Sequence, residues 1–235
     1  MPHRVFARDL NRPVYALDCR NHGDSSHDPV HNYTALAEDI ELFLTHHDLH
    51  NSTLIGHSMG AKAAMTVALR GKAQIESLIP VDNAPVDAAL KSDFGKYVQG
   101  MLRIDSAHCA KQSDADVILK DYEENLGIRQ FLLSNLVRDK ETGEQKFKIP
   151  VKILAGALDN MADFPFKDPE VARWNGPTLV VRGTKSHYVA DEMLPLVGRF
   201  FPGFRVEDVE AGHWVISEKP EEFRKGELVL VLKVR

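Results

Sequence analysis

The first half of the chain alternates short apolar runs with helical periods. Pro13 to Asp18 reads as a buried strand, and a polar, turn-rich segment follows from Arg20 to Asn32. From Thr34 to His47 the residues Leu36, Ile40, Leu42, Phe43 and Leu44 supply the apolar face of an amphipathic helix. Ser52 to Ile55 predicts a short strand ending at Gly56, and Gly60 to Leu69 predicts a small-residue helix stopped by Gly71. Ile75 to Val81 predicts another strand, ending in Asp82. Strands and helices alternating in this way build a parallel sheet from crossover units.

After Asp82 the period changes. Phe94, Val98, Met101 and Leu102 predict one helix, and Ala115 to Leu126 and Ile128 to Val137 predict two more. Glu141-Thr142-Gly143-Glu144 reads as a turn, with short strand pieces beside it. The first rhythm then returns. Pro177 to Arg182 and Phe204 to Val209 predict strands, with a helix from Glu192 to Phe201 between them. A loop at Gly212-His213-Trp214 precedes a helix starting near Pro220, and Glu227 to Val234 is rich in strand formers. The pattern divides the chain into an α/β core over residues 1–82 and 176–235 and a helical lid or cap insertion over 83–175.

Composition narrows the function. Of 235 residues, 43% are hydrophobic, enough to bury a sizeable core and to exclude a disordered chain. The net charge of −5 argues against a broadly basic nucleic-acid surface. Cys19 and Cys109 are too few for a disulfide framework. No apolar run reaches the roughly 18 residues of a membrane span, and Met1-Pro2-His3-Arg4 has no secretory-signal pattern. These features predict a soluble, intracellular, globular protein.

The strongest chemical signal is Gly56-His57-Ser58-Met59-Gly60, a G-x-S-x-G element between a predicted strand and a small-residue helix. Such a turn presents the serine hydroxyl at the carboxyl end of the sheet, and glycines beside it avoid clashes in the sharp bend. A serine nucleophile needs a base, and the base needs an orienting carboxylate. Among 11 histidines, His213 follows a predicted strand and so reaches the same rim as Ser58. His57 reads as packing, His46, His47 and His50 as helix-end residues, and His22, His27 and His31 as members of a polar turn segment. None has a metal-ligand spacing with Cys or Glu. The loop after Arg182 carries no carboxylate until Asp191, which reads as a helix cap, whereas Asp82 ends the strand that follows the elbow helix. The three residues therefore run in the order Ser58, Asp82, His213.

With these motifs in view, the chain resembles the α/β-hydrolases, and within them the group of YbfF-type bacterial esterases, mitochondrial abhydrolase proteins and yeast ethanol acetyltransferases. The resemblance rests on Leu17-Asp18-Cys19-Arg20-Asn21-His22-Gly23-Asp24-Ser25, on Gly56 to Met65, and on Val81-Asp82-Asn83-Ala84-Pro85. Arg182 to Val189 and Gly212-His213-Trp214-Val215 complete it, so that it extends from about Val5 to Phe223. It implies a mostly parallel sheet with helices on both faces and a helical lid that shapes the substrate pocket. It also implies an acid at Asp82, a Met59 N–H in the oxyanion hole, and a structural role for Arg20, His22 and Asp24. The group has a strand and an apolar–His–Gly loop before the position of Val5, so N-terminal strands and one oxyanion donor are expected to be missing here. Three outcomes are then open: the run at Pro13 to Asp18 shifts to pair directly with that at Ser52, the fold is locally loose there, or the natural start lies upstream. Ala61 stands where the group often has Gly, and Lys225 to Arg235 replaces an amphipathic helix. The expected activity is that of a serine esterase on small or medium acyl esters, with no cofactor, no metal and no nucleic-acid partner; the resemblance adds a mitochondrial location to the expected cytoplasmic one if a longer natural N-terminus exists. The alternatives are an alcohol acyltransferase of the same fold, or a truncated, weakly active or non-catalytic hydrolase-like protein.

Overall fold

A parallel sheet buried on both faces needs apolar side chains at successive positions, and the central strands have them. The computed structural model of the protein describes residues 2–87 and 93–224. It divides into two compact units: Met1–Leu17, Tyr33–Asp87 and Phe164–Arg235 form one, and Asp18–Asn32 and Ala88–Asp163 form the other.

In chain order the elements of the first unit begin with α1 (Pro2–Leu10), α2 (Tyr33–His46), β1 (Ser52–His57), α3 (Met59–Arg70) and β2 (Ile75–Val81). The second unit contributes α4 (Asp93–Ala107), α5 (Gln112–Leu119), α6 (Leu126–Leu133), β3 (Leu136–Arg138), β4 (Gln145–Phe147), α7 (Val151–Gly156) and α8 (Leu158–Ala162). The first unit resumes with β5 (Thr178–Gly183), a 3₁₀ turn at Asp191–Met193, α9 (Leu194–Phe200), β6 (Phe204–Val209) and α10 (Val215–Glu218). Residues 220–224 are helical, as expected near Pro220. The strand expected at Glu227 to Val234 lies outside the described residues.

The first unit is built on a sheet of order β1-β2-β5-β6, every pairing parallel. Successive side chains of a strand point to opposite faces. Leu78 and Val180 therefore join a core with Ala61, Ala64, Met65 and Ala68 of α3 and Val197 and Phe200 of α9. Their neighbours Ile79, Val81, Leu179 and Val181 join a separate core with Phe6 of α1, Val215 of α10 and Phe223. The sheet thus has helices on both faces. The small residues of α3 allow that helix to lie close to the strands. Arg70 at its end donates to Glu41 of α2 at 2.8 Å and to Glu38 at 3.1 Å.

Three expectations change. Residues 13–19 form no strand. Pro13 offers no N–H to a ladder, Val14 packs under the second core, and the Tyr15 ring turns edge-on to Phe43 of α2 at 5.7 Å. The segment thus packs by its side chains and adds no strand to β1, which is the end strand of the described sheet. The apolar face of α2 is also different: Leu36 and Leu44 are buried, but Leu42 is exposed, and Tyr33, Ala35 and Ala37 complete the buried stripe. In the second unit the helix expected to run to Leu126 stops at Leu119, and the one expected over Ile128 to Val137 runs from Leu126 to Leu133, with Asn125 before it and strand β3 beginning at Leu136. The Asn125 carboxamide oxygen accepts from the N–H groups of Gly127 and Ile128, which is an N-cap and not a helix interior.

The second unit has its own core of Met101, Ile104, Ala115, Leu119, Leu132, Leu133, Ile149 and Val151. Its hairpin, β3 with β4, brackets the expected turn. Residues 18–32 are tied within this unit: His27 Nε2 lies 3.1 Å from the Lys148 carbonyl oxygen, Lys148 pairs with Asp24, and Asn160 donates to the His31 carbonyl. Among the described residues no helix is long and apolar enough to cross a membrane.

Candidate active site

Three strand ends of the parallel sheet, β1, β2 and β6, converge on one rim. β1 runs into Ser58, whose backbone is forced to φ 54° and ψ −112° before α3 begins at Met59. The Ser58 backbone is therefore strained, a conformation that costs of order 1–3 kcal/mol and persists only where its surroundings dictate it. Those surroundings are explicit. The Ser58 N–H donates to the Val81 carbonyl at 2.9 Å. The Ser58 carbonyl accepts from Ala61 N at 3.0 Å and from the Asn83 carboxamide at 3.2 Å. A β-carbon at Gly56 would lie 2.1 Å from the Gly60 carbonyl oxygen, so glycine is obligatory there. At Gly60 a β-carbon would meet nothing within 4 Å. The bend thus demands one of the two glycines for space, not both. Met59 stands in the first turn of α3, where N–H groups have no intrahelical acceptor and carry partial positive charge.

Asp82 follows the last residue of β2 with φ 50° and no solvent exposure. Its N–H donates to Val181 at 2.8 Å, which continues the sheet by one bond. Oδ1 accepts from the Gly183 N–H at 3.0 Å, and Oδ2 accepts from the Ser186 hydroxyl at 2.6 Å. Oδ2 also lies 2.7 Å from His213 Nδ1, and His213 Nε2 lies 2.9 Å from Ser58 Oγ. A buried carboxylate accepts, so Nδ1–H donates to Asp82 and Nε2 is left to accept from the Ser58 hydroxyl. The loop bearing His213 comes close because Gly183 has no side chain: a β-carbon there would sit 2.2 Å from the Gly212 carbonyl oxygen.

The structure brings Ser58, Asp82 and His213 into one hydrogen-bonded line and places Met59 beside it. Asp191 is not a cap. Its carboxylate receives the Arg182 guanidinium at 2.6 Å, and Ala190 precedes the 3₁₀ turn. Two further residues at this rim have no part in the sequence expectation. Ser186 holds Asp82, accepts from the Tyr188 N–H at 3.2 Å, and so shapes the loop after β5. The Tyr188 ring stacks on the His213 imidazole with centroids 4.1 Å apart. In the sequence that loop lies within the stretch Arg182 to Val189 that carries the resemblance and stands out for its lack of a carboxylate, with no role read for these two side chains. Its position at the end of a strand adjacent to β2 is the signal that it supplies hydrogen-bond donors to one. His57 also does more than fill space. Its Nε2 lies 2.7 Å from the His213 carbonyl oxygen, and burial pushes its imidazole below the usual histidine range.

The family model described as alpha/beta hydrolase fold matches residues 1–220. A "Probable alcohol acetyltransferase" of Saccharomyces cerevisiae is 37% identical over 241 residues, covering 94% of this chain and 70% of that protein. An "sn-1-specific diacylglycerol lipase ABHD11" of Xenopus laevis is 36% identical over 226 residues, covering 94% and 70%. A solved "Marine microorganism esterase" superposes with a TM-score of 0.89 at 29% identity, covering 96% of this chain and 88% of that one. The strand-to-helix elbow, the rim of strand ends and these similarities agree, and the chain belongs to the alpha/beta hydrolase family.

Proposed function

We propose that the protein hydrolyses carboxylic esters of small or medium acyl groups with Ser58 as nucleophile, His213 as base and Asp82 as orienting acid. The observation that carries this reading is the line from Ser58 Oγ to His213 Nε2 at 2.9 Å and from His213 Nδ1 to Asp82 at 2.7 Å. As Oγ attacks the ester carbonyl, its proton passes to His213 Nε2. Asp82 keeps the imidazole in the tautomer that can receive it and stabilises the imidazolium. The charge that develops on the carbonyl oxygen is met by the Met59 N–H at the positive end of α3. His213 then returns the proton to the leaving alcohol, an acyl group remains on Ser58, and a water activated by the same base releases it as the acid.

The test is labelling of the folded protein by a fluorophosphonate, followed by hydrolysis of p-nitrophenyl acetate and butyrate. Stoichiometric modification at Ser58, and loss of both signals in Ser58→Ala, are expected. An unlabelled Ser58 in folded protein would instead favour a non-catalytic hydrolase-like protein. The similarity to the acetyltransferase of S. cerevisiae supports a second reading, in which an alcohol takes the place of water in the deacylation step. Products formed from an acyl-CoA and ethanol separate the two: a new ester means transfer, and free acid alone means hydrolysis.

A further inference from the structure

The carbonyl of His213 lies in the segment between β6 and α10, where backbone bonds hold its neighbours, from Lys185 N–H to Ala211 and from Ser217 and Glu218 N–H to Trp214, but among the described residues none falls on the His213 peptide itself. A base on such a segment can rotate away from its nucleophile unless something else fixes its peptide. His57 is in a position to do this. It is the last residue of β1, next to Ser58, and its Nε2 lies 2.7 Å from the His213 carbonyl oxygen. The carbonyl can only accept, so His57 donates from Nε2–H. That bond keeps Nε2 from acting as a second base, and the two imidazole centroids are 4.9 Å apart. Burial favours the neutral form of His57. A neutral donor anchors the loop without placing a second positive charge beside the imidazolium that forms on His213.

We infer that His57 is a positioning residue for the base: its Nε2–H fixes the peptide of His213 and so holds that imidazole within reach of Ser58 Oγ. The inference deepens the proposed hydrolase reading and rests on it. A packing role makes a different demand, since any flat ring of similar size would satisfy it. Geometry matters steeply here, because a misplacement of about 1 Å in a reacting group can cost about 10²-fold in rate. Such a loss belongs to kcat, since ground-state binding of the ester does not use the base.

The experiment compares wild type, His57→Phe, His57→Gln and His57→Met by kcat and KM on p-nitrophenyl butyrate, by the second-order rate of fluorophosphonate labelling, and by thermal unfolding. Phe keeps the ring without the donor, Gln restores an N–H at the same reach, and Met matches Gln in length without a donor. In His57→Phe, kcat and the labelling rate are each expected to fall about 10–100-fold with KM within about threefold. His57→Gln is expected to recover to within about fivefold of wild type, and His57→Met is not. If the Phe variant does not fold, the Gln and Met pair decides the question. Wild-type rates in His57→Phe or His57→Met would overturn the inference, as would a Gln variant as slow as the Met variant. Labelling of wild type at Ser58 with no effect of any His57 variant removes this inference alone. Absence of labelling in wild type removes the hydrolase reading and this inference with it.

Discussion

Two histidines in this protein are withdrawn from solvent beside a side chain of similar shape. His213 has a 15% exposed side chain and bonds through Nδ1 to Asp82. His31 is 2% exposed, and its Nδ1 lies 3.2 Å from the Asn21 carboxamide. Asp82 and Asn21 are both fully buried, and both have left-handed backbones, with φ 50° and 67°. Asp and Asn tolerate that region better than most residues because their short polar side chains bond locally. The difference is one of charge. A carboxylate accepts Nδ1–H and frees Nε2 to take a proton from Ser58. The carboxamide donates to His31 Nδ1, which therefore must be unprotonated, and its oxygen takes the Asp28 N–H at 2.8 Å. In the proposed mechanism the first arrangement prepares an imidazole to become positive, whereas the second keeps one neutral within a turn.

The most severe way to break this contrast is to convert the first arrangement into the second. Asp82→Asn places an amide where the base needs a carboxylate, and kcat on p-nitrophenyl butyrate is expected to fall about 10³–10⁴-fold, approaching the loss in Ser58→Ala. Steady-state kinetics on folded, equally labelled preparations check this. In the other arrangement the loss is one of stability. Asn21→Ala leaves the Asp28 N–H and carbonyl and His31 Nδ1 without their buried partner and puts a β-carbon residue at φ 67°. Urea unfolding is expected to show a loss of about 3 kcal/mol.

Acid sharpens the contrast by a smaller amount. Burial, with the nearby His22 and Arg20, pushes His31 down from 6.5 to about 4. The unfolded chain then takes up a proton near pH 6.5 that the folded chain refuses until about pH 4. The stability supplied by neutral His31 is therefore complete above pH 6.5 and is lost as the pH falls through this window. Melting temperatures at pH 7.5, 5.5 and 4.5 should decline, and the decline should be shallower in His31→Gln. The smallest expected effect has the opposite sign. Ser58→Gly removes the hydroxyl but relieves the backbone at φ 54°, so the inactive variant should be more stable than wild type by about 1 kcal/mol. Differential scanning calorimetry would detect this.

The three positions of the proposed triad are legible in the sequence because each follows a run that reads as a strand. Ser58, Asp82 and His213 sit just beyond Ser52–His57, Ile75–Val81 and Phe204–Val209, and a parallel sheet brings such positions to one rim. Roles that act through the backbone are much less visible. Nothing in Gly183 to Tyr188 announces that Ser186 will donate to Asp82, because that depends on the Gly183 carbon approaching Gly212. His57 reads as packing because a carbonyl partner leaves no mark in residue type. Residues 13–18 have the composition of a strand, and what they lack is a ladder neighbour. Helix limits in the second unit turn on one capping side chain, that of Asn125.

Ser58 and His213 meet across 155 residues of chain, and His213 and Asp82 across 131. Contacts of such long range form late, after the entropy of closing a large loop has been overcome. During synthesis the serine emerges early, yet its hydroxyl has no base until the last described strand has added to the sheet. Under the proposed mechanism Ser58 thus stays inert until the first unit is nearly finished. In refolding, the onset of fluorophosphonate reactivity should lag behind the recovery of helical signal and time the arrival of β6.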